Sequence, residues 1–301
     1  MRFAVLASAE SWYLKDLARA ASGRHELLQV TFCDLASTLL ADRASVASGP
    51  TRLDGLDAVI VRTMPPGSLE QVVFRMDALA RLEAAGTPVL NPPKAVEAAV
   101  DKYLTSARLA AAGLTIPRTM VCQTAEAAMT ALVELGGDVV LKPLFGAEGR
   151  GITRLNDEAL ALRAFKMLEQ LGAVLYLQEF VPHEGADLRL LVIGRRVLGM
   201  RRRNPLDWRT NVSRGATAEP LEVTPELAEL AHRAAAAVGA PLAGVDLLPG
   251  KDGRLYAIEV NAVPGWKALA RALKLDVAKL VLDYVEDCVS TRRVGDLSAI
   301  R

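Results

Sequence analysis

Three oxygen-bearing side chains in the C-terminal part of the chain could hold a hard metal ion. In "LYAIEVNAVPG", residues 255–265, Glu259 and Asn261 stand two apart inside an otherwise apolar run that ends in a Pro-Gly turn. Side chains at i and i+2 of a strand share a face, so this carboxylate and carboxamide project together. The run before it, "LAGVDLLPGKDG", carries Asp246, and the two runs read as a hairpin turning at residues 249–253. In the right antiparallel register the pair brings three oxygen donors to one patch, a set suited to Mg2+ beside a nucleotide. Taken alone, Asp246 could equally serve a turn or an ion pair.

Cations and backbone donors gather upstream. "DVVLKPLFGAEGRGIT" puts Lys142 on a strand that runs into a loop with Gly146, Gly149 and Gly151. Such glycines let backbone N–H groups approach an anion, and Lys142 adds a point charge, although a plain hairpin loop has the same look. The loop is not a Walker A sequence, since Ile152-Thr153 follows where Lys-Ser/Thr is required, and it is not G-x-G-x-x-G. Glu179 in "QEFV" could accept from a ribose or an adenine amine, or simply end an exposed strand. Asp187 and Arg189 share a strand face in "DLRLLVIG". "RRRNPLDWRTNVSRGA" then concentrates Arg201, Arg202, Arg203, Arg209, Asn211 and Arg214 around a lone acid, Asp207. Clustering these donors is costly unless phosphates or carboxylates neutralise them. Trp208 could stack on a ring or pack within its own loop.

Alternating strands and helices must position these groups. Residues 1–93 read as a small doubly wound α/β domain, with ligands expected at the C-terminal ends of its strands. A helix is expected over 94–112, helices over 124–136 and 157–171, and strands at "PRTMVCQ", "DVVLKPL" and "VLYLQEFV". The last part is denser in strands, with helices at 225–238 and about 276–290. The expected division is 1–93, 94–178 with the glycine loop, 179–290 with the metal patch, and a short tail at 291–301.

Composition narrows the function class. With 36 Lys+Arg against 35 Asp+Glu, no global field draws the chain to nucleic acid or an anionic membrane. No apolar run is long enough for a membrane span or a signal peptide, so a cytoplasmic location is expected. Cys33, Cys122 and Cys288 and the three histidines are too scattered for a disulfide framework, a zinc site or a catalytic triad.

The order of these motifs resembles the ATP-grasp ligases, and within them the RimK-type glutamate ligases. The resemblance rests on Lys102 in "DKYLTSARLAAAGLTIPRT", Lys142 in "VVLKPLFGAEGRGI", "YLQEFVPHEGADLRLLVIG", "RTNVSRGA", "GVDLL" and "IEVNAVPG", and covers about residues 90–290. It implies an ATP-grasp fold: an N-terminal doubly wound domain followed by two α+β subdomains that clasp ATP. Lys102 and Lys142 would meet the phosphates, with Gly146, Gly149 and Gly151 in a lid, Glu179 and Phe180 beside the adenine, and Asp187 on the sugar side. Asp246, Glu259 and Asn261 match the family's metal positions, which implies two Mg2+ ions, with Mn2+ able to substitute. The implied reaction is amide formation through an acylphosphate, joining L-glutamate to an acidic acceptor such as a pterin coenzyme or a protein tail. Arg209 and Asn211 would lie near the γ-phosphate, Arg189 near the acylphosphate or a substrate carboxylate, and Arg202, Arg203 and Arg214 toward the acceptor. A ligase for another amino acid, of the lysine-biosynthesis type, and a silent nucleotide-binding subunit are the alternatives; a homo-oligomer is compatible with either. Ala216 departs from the second glycine that relatives often carry after Arg-Gly.

Overall fold

Short apolar strands of the first unit pair in parallel because a helix or a long excursion separates each from the next. The elements are β1 (Arg2–Leu6), α1 (Trp12–Ala21), β2 (Glu26–Val30), β3 (Leu35–Leu39), β4 (Ala44–Ser48), β5 (Thr51–Arg52), β6 (Ala58–Val61), α2 (Leu69–Ala84) and β7 (Val89–Leu90). The parallel sheet has the order β2-β1-β6-β7, while β3, β4 and β5 form a separate antiparallel sheet. That second sheet was not expected from the sequence. Its Ala/Ser-rich strands show little apolar alternation, and four of the five residues of β3 are exposed. The structure, a computed structural model, describes the chain except residues 42, 147–149, 212–214 and 300–301 and the side chains of 293–299.

The helix expected over 94–112 is two helices, α3 (Pro93–Val100) and α4 (Lys102–Ala111). Asp101 breaks it by taking an extended conformation and accepting from the Leu104 N–H through its side chain at 3.0 Å, as an N-cap does. Lys102 is thereby set at the positive end of a helix, an unfavourable place for a cation unless an anion joins it.

The central unit comprises β8 (Thr119–Cys122), α5 (Ala125–Glu134), β9 (Val139–Lys142), β10 (Thr153–Leu155), α6 (Glu158–Gln170) and β11 (Leu175–Glu179), with sheet order β10-β9-β11-β8. Side-chain caps from Thr124 and Asp157 start its two helices. The last unit comprises β12 (Ala186–Ile193), β13 (Arg196–Arg203), β14 (Thr217–Leu221), α7 (Pro225–Val238), β15 (Leu242–Pro249), β16 (Leu255–Asn261), α8 (Lys267–Leu273) and α9 (Val277–Ala299). Its antiparallel sheet runs β14-β13-β12-β15-β16. Here α8 was not foreseen, and α9 runs past the end expected near residue 290.

The cores divide the molecule differently from the chain order. Two apolar clusters join the N-terminal strands to the C-terminal sheet: one packs Leu6 and Val59 with Leu190 and Val245, the other packs Phe3 and Ile60 with Trp266 and Val281. A third cluster, centred on Phe165 and Leu177, is built wholly from residues 125–177. The first and last units therefore form one base, and the central unit carries its own core. Among the described residues no helix is long and apolar enough to cross a membrane.

Candidate active site

Strand pairing brings a row of charges onto one face of the C-terminal sheet. Asp187 on β12 lies opposite Arg202 on β13, Arg189 on β12 opposite Asp246 on β15, and Asp246 opposite Glu259 on β16. The β15–β16 register shifts beside Asp246, where Ile258 is the extra residue, so the bulge falls at this row. Asn261 lies one step further, opposite Gly244. A Cβ on Gly244 would come within 2.9 Å of Arg189 Nη1, so the glycine leaves room for that guanidinium.

The row is internally paired. Arg202 Nε donates to Asp187 Oδ1 at 2.7 Å, and its Nη2 lies 2.8 Å from Asp246 Oδ2. Arg189 Nη1 donates to Asp246 Oδ1 at 2.6 Å. Thr210 adds its hydroxyl to Asp187. Burial alone would raise the Asp246 carboxyl, but Arg189 and Arg202 outweigh it and hold its pKa below the usual value. Burial opposes the charge of Arg202 as well, yet Asp246 and Asp187 raise its pKa further.

Across the cleft the central unit presents Lys142, whose Nζ donates to Gln178 Oε1. Gln178 donates in turn to Thr119 Oγ1 and the Tyr176 hydroxyl, each at 2.9 Å, and Tyr176 shares a hydrogen bond with Ser106. Burial, with repulsion from Lys102, pushes the Lys142 ammonium down to about 8 against the pull of Glu259 and Asp246. Burial also lowers Lys102, whose Nζ donates to the Gly146 carbonyl at 2.9 Å. Gly151 is in the left-handed region (φ 72°), where a side chain is strained. Gly149 and Arg214 lie outside the described residues.

A narrow cleft of about 120 Å3 between the two sheets is walled by Lys102, Lys142, Glu179, Phe180, Asp187, Arg202, Arg209, Asn211, Asp246 and Glu259 together with apolar Pro117, Val140, Ile152, Leu248 and Ile258. Asn261 is adjacent, with its Oδ1 accepting from the Val263 N–H at 2.8 Å. Arg189 reaches the site through Asp246. Arg202 and Arg203 part company on β13: Arg202 is buried toward the cleft and Arg203 is exposed on the other face. Arg209 is folded onto Asp207, with Nη2 2.7 Å from Oδ2. The donors of the candidate metal patch, Asp246, Glu259 and Asn261, are all oxygen, two carboxylates and an amide, a set whose chemistry suits a hard divalent cation.

Gln178, Tyr176 and Arg118 belong to the site without carrying a motif of their own in the sequence. In β11, Glu179 sends its carboxylate away from the Gln178 side and onto Arg118, whose backbone N–H and Nε donate to it at 3.0 and 2.6 Å. Burial raises Glu179, but these bonds prevail and lower its pKa. Strand alternation was the available signal: Tyr176 and Gln178 share one face and Glu179 takes the other. Thr210 and Asn204 carry no such mark. Asn204 is buried and shapes the 204–209 loop by donating to the Arg209 carbonyl and accepting from the Leu206 N–H.

Comparison with known proteins identifies the family. The sequence model of the RimK-like ATP-grasp domain matches residues 99–285. The chain is 32% identical to the tetrahydromethanopterin:alpha-L-glutamate ligase of Methanosarcina acetivorans, over 92% of this chain and 96% of that protein. It is 29% identical to the glutamate–LysW ligase of Sulfurisphaera tokodaii, over 77% of this chain and 82% of that protein. A RimK domain ATP-grasp protein from Sphaerobacter thermophilus superposes with a TM-score of 0.73 at 26% identity, covering 94% of this chain and 99% of that one. The ATP-grasp ligase PsnB, solved with its minimal precursor, Mg and ADP, superposes at 0.75 with 23% identity over 95% and 97% of the two chains, a likeness of fold. With its family model spanning most of the three-unit architecture and a relative aligned almost end to end, the chain belongs to the RimK-like ATP-grasp family.

Proposed function

We propose that this protein is an ATP- and Mg2+-dependent, ADP-forming ligase that joins L-glutamate to a carboxylate-bearing acceptor. The observation that carries the reading is the convergence of Asp246 and Glu259, and of Lys102 on the base-packed α4, with Lys142 of the central sheet around one cleft. Acids to hold a cation and lysines to hold phosphates, with an apolar wall beside them, are what a Mg2+–nucleotide needs.

In this reading the adenine lies against Val140, Ile152, Phe180, Leu248 and Ile258, and the phosphates meet Lys102 and Lys142. A cleft of about 120 Å3 is smaller than the roughly 300–1,000 Å3 of small-molecule pockets. Nucleotide entry therefore needs the central unit to swing from the base, which its separate core permits. Asp246, Glu259 and Asn261 would hold Mg2+, which supplies charge neutralisation on the transferring phosphoryl oxygens. An acceptor carboxylate oxygen attacks the γ-phosphorus, the bond to ADP breaks, and an acylphosphate forms. The glutamate amine then attacks the acyl carbon and inorganic phosphate leaves, with the amine proton passing to solvent or phosphate. Lys142 and Arg209 lower the cost of charge on phosphoryl oxygens, and Arg189 does so at the acyl oxygen. Arg209 must leave Asp207 to take part.

The acceptor is proposed as an acidic coenzyme of the methanopterin type, or an acidic protein tail. The near end-to-end match to the pterin ligase favours the coenzyme, while the likeness to the LysW ligase keeps a carrier-protein substrate as the second reading. The test is ADP release with Mg2+, ATP and L-glutamate over a panel of pterins, deazaflavin coenzymes and acidic peptides, with products weighed by mass spectrometry. A glutamate-sized gain on one acceptor is expected. ATP binding with no product from glutamate, and a product from another amine, would overturn the glutamate assignment.

A further inference from the structure

The parallel strands of the N-terminal unit end at residues with an unusual target. In doubly wound sheets the C-terminal strand ends face ligands. Here β6 and β7 are neighbours, and the residues that follow them, Arg62 and Asn91, both reach the turn after β16. Arg62 Nη2 donates to the Pro264 carbonyl at 2.7 Å, and Asn91 Nδ2 donates to the Ala262 carbonyl. Asn91 also donates to the Leu242 carbonyl at 2.6 Å and accepts from the Leu242 N–H at 3.0 Å, which fixes the start of β15. One side chain from each strand end thus grips alternate carbonyls of the turn that begins at Asn261.

Simple stability does not explain the choice of arginine. Arg62 is 5% exposed, and among the described residues its buried Nε and Nη1 have no hydrogen-bond partner. It lies 4.2 Å from the Trp266 ring and 4.9 Å from the Tyr13 ring, which offset part of the desolvation. Burial still pushes its guanidinium down to about 10. An apolar residue could fill this interface without a stranded charge. The turn it holds is mechanically linked to the charged row: Pro264 packs over Gly244, the same glycine that makes room for Arg189 on Asp246.

We propose that Arg62 and Asn91 are positioning residues, through which the N-terminal unit sets the turn bearing Asn261 and so the spacing of Asn261 from Asp246 and Glu259. The inference rests on the metal assignment made above. In a folded protein, Arg62→Met and Asn91→Ala should each raise the Mg2+ concentration for half-maximal ADP release by about tenfold, the worth of a hydrogen bond from a charged or buried donor. The KM for ATP at saturating Mg2+ should change far less. Mn2+ affinity in the presence of ADP, read by electron paramagnetic resonance, should weaken in parallel. Arg62→Lys, which keeps a charge and one donor, should recover most of the loss.

Variants with wild-type Mg2+ and Mn2+ dependence and only a lower melting temperature would overturn the proposal and make Arg62 an interface bolt. If Arg62→Met does not fold, Arg62→Lys and Asn91→Ala carry the comparison, and unchanged metal dependence in both has the same meaning. Glu259→Ala separates the two levels of the account. If it binds Mn2+ like the wild type, the metal assignment itself falls; if it loses the ion while the Arg62 and Asn91 variants keep it, only the positioning role falls.

Discussion

On the base, Arg202 stands between Asp187 and Asp246, and Arg189 closes the other oxygen of Asp246. On the central unit, Lys142 is half-buried at the end of β9 and meets a neutral amide, Gln178. The base balances its charges internally, so its row can keep its shape before any ligand arrives. The central unit leaves a half-buried ammonium that becomes fully favourable only beside an anion, and its pKa is already displaced for that reason. The cores match this division: the row sits on a sheet packed against the N-terminal unit, and Lys142 sits on a sheet with an apolar cluster of its own. One half of the cleft is preset and the other is poised.

The hardest test of the preset half is chemical. Glu259→Ala should lower turnover by about a thousandfold or more, as loss of a principal electrostatic stabiliser does, with a native circular-dichroism spectrum and a nearly unchanged melting temperature. Full turnover in this variant would remove the metal role from Glu259. Next in size is Arg202→Met, which leaves buried Asp187 without a cation and Asp246 with Arg189 alone, and should cost about 3 kcal/mol in denaturant unfolding. The same change on the other side has the opposite sign. Lys142→Met removes a charge whose hydrogen bond among the described residues is to the neutral Gln178, so stability should hold or rise while ATP affinity falls. If both variants destabilise alike, the contrast between the halves fails.

The pH response sharpens the contrast further. Lys142 is depressed from 10.5 to about 8 in the free protein. Below that value it is charged and ready for phosphate; above it, binding an anion requires proton uptake. The Kd for ATP should therefore be flat below about pH 7 and rise above pH 8 toward a limiting slope of about tenfold per unit. Titration calorimetry in buffers of different ionisation enthalpy would detect the proton taken up, and Lys142→Met should abolish it. The smallest effect belongs to the exposed Arg2–Glu26 pair far from the cleft. Its removal should change stability by about 0.5 kcal/mol or less and leave ATP affinity untouched.

Strand alternation made the Glu259–Asn261 face legible, and the hairpin turn made its pairing with Asp246 legible too. What stayed hidden depends on registers fixed by distant packing. Nothing local says that Arg202 faces the cleft while Arg203 faces away, or that Asp187 and Arg189 find partners on different neighbouring strands. Asp101 looked like a helix residue because its neighbours are strong helix formers, yet its side chain caps the next helix. Glu179 drew attention as a charge at a strand end, when the neutral residue beside it, Gln178, carries the contact to Lys142. Arg62 and Asn91 were invisible, since their targets lie 202 and 171 residues away.

The most direct test of the proposed chemistry follows an oxygen atom. With the acceptor that gains glutamate labelled in both carboxylate oxygens with 18O, one turnover should place a single 18O in inorganic phosphate and leave the other in the new amide. That transfer requires an acylphosphate formed at the γ-phosphorus. Unlabelled phosphate, or label found in AMP, would contradict the account.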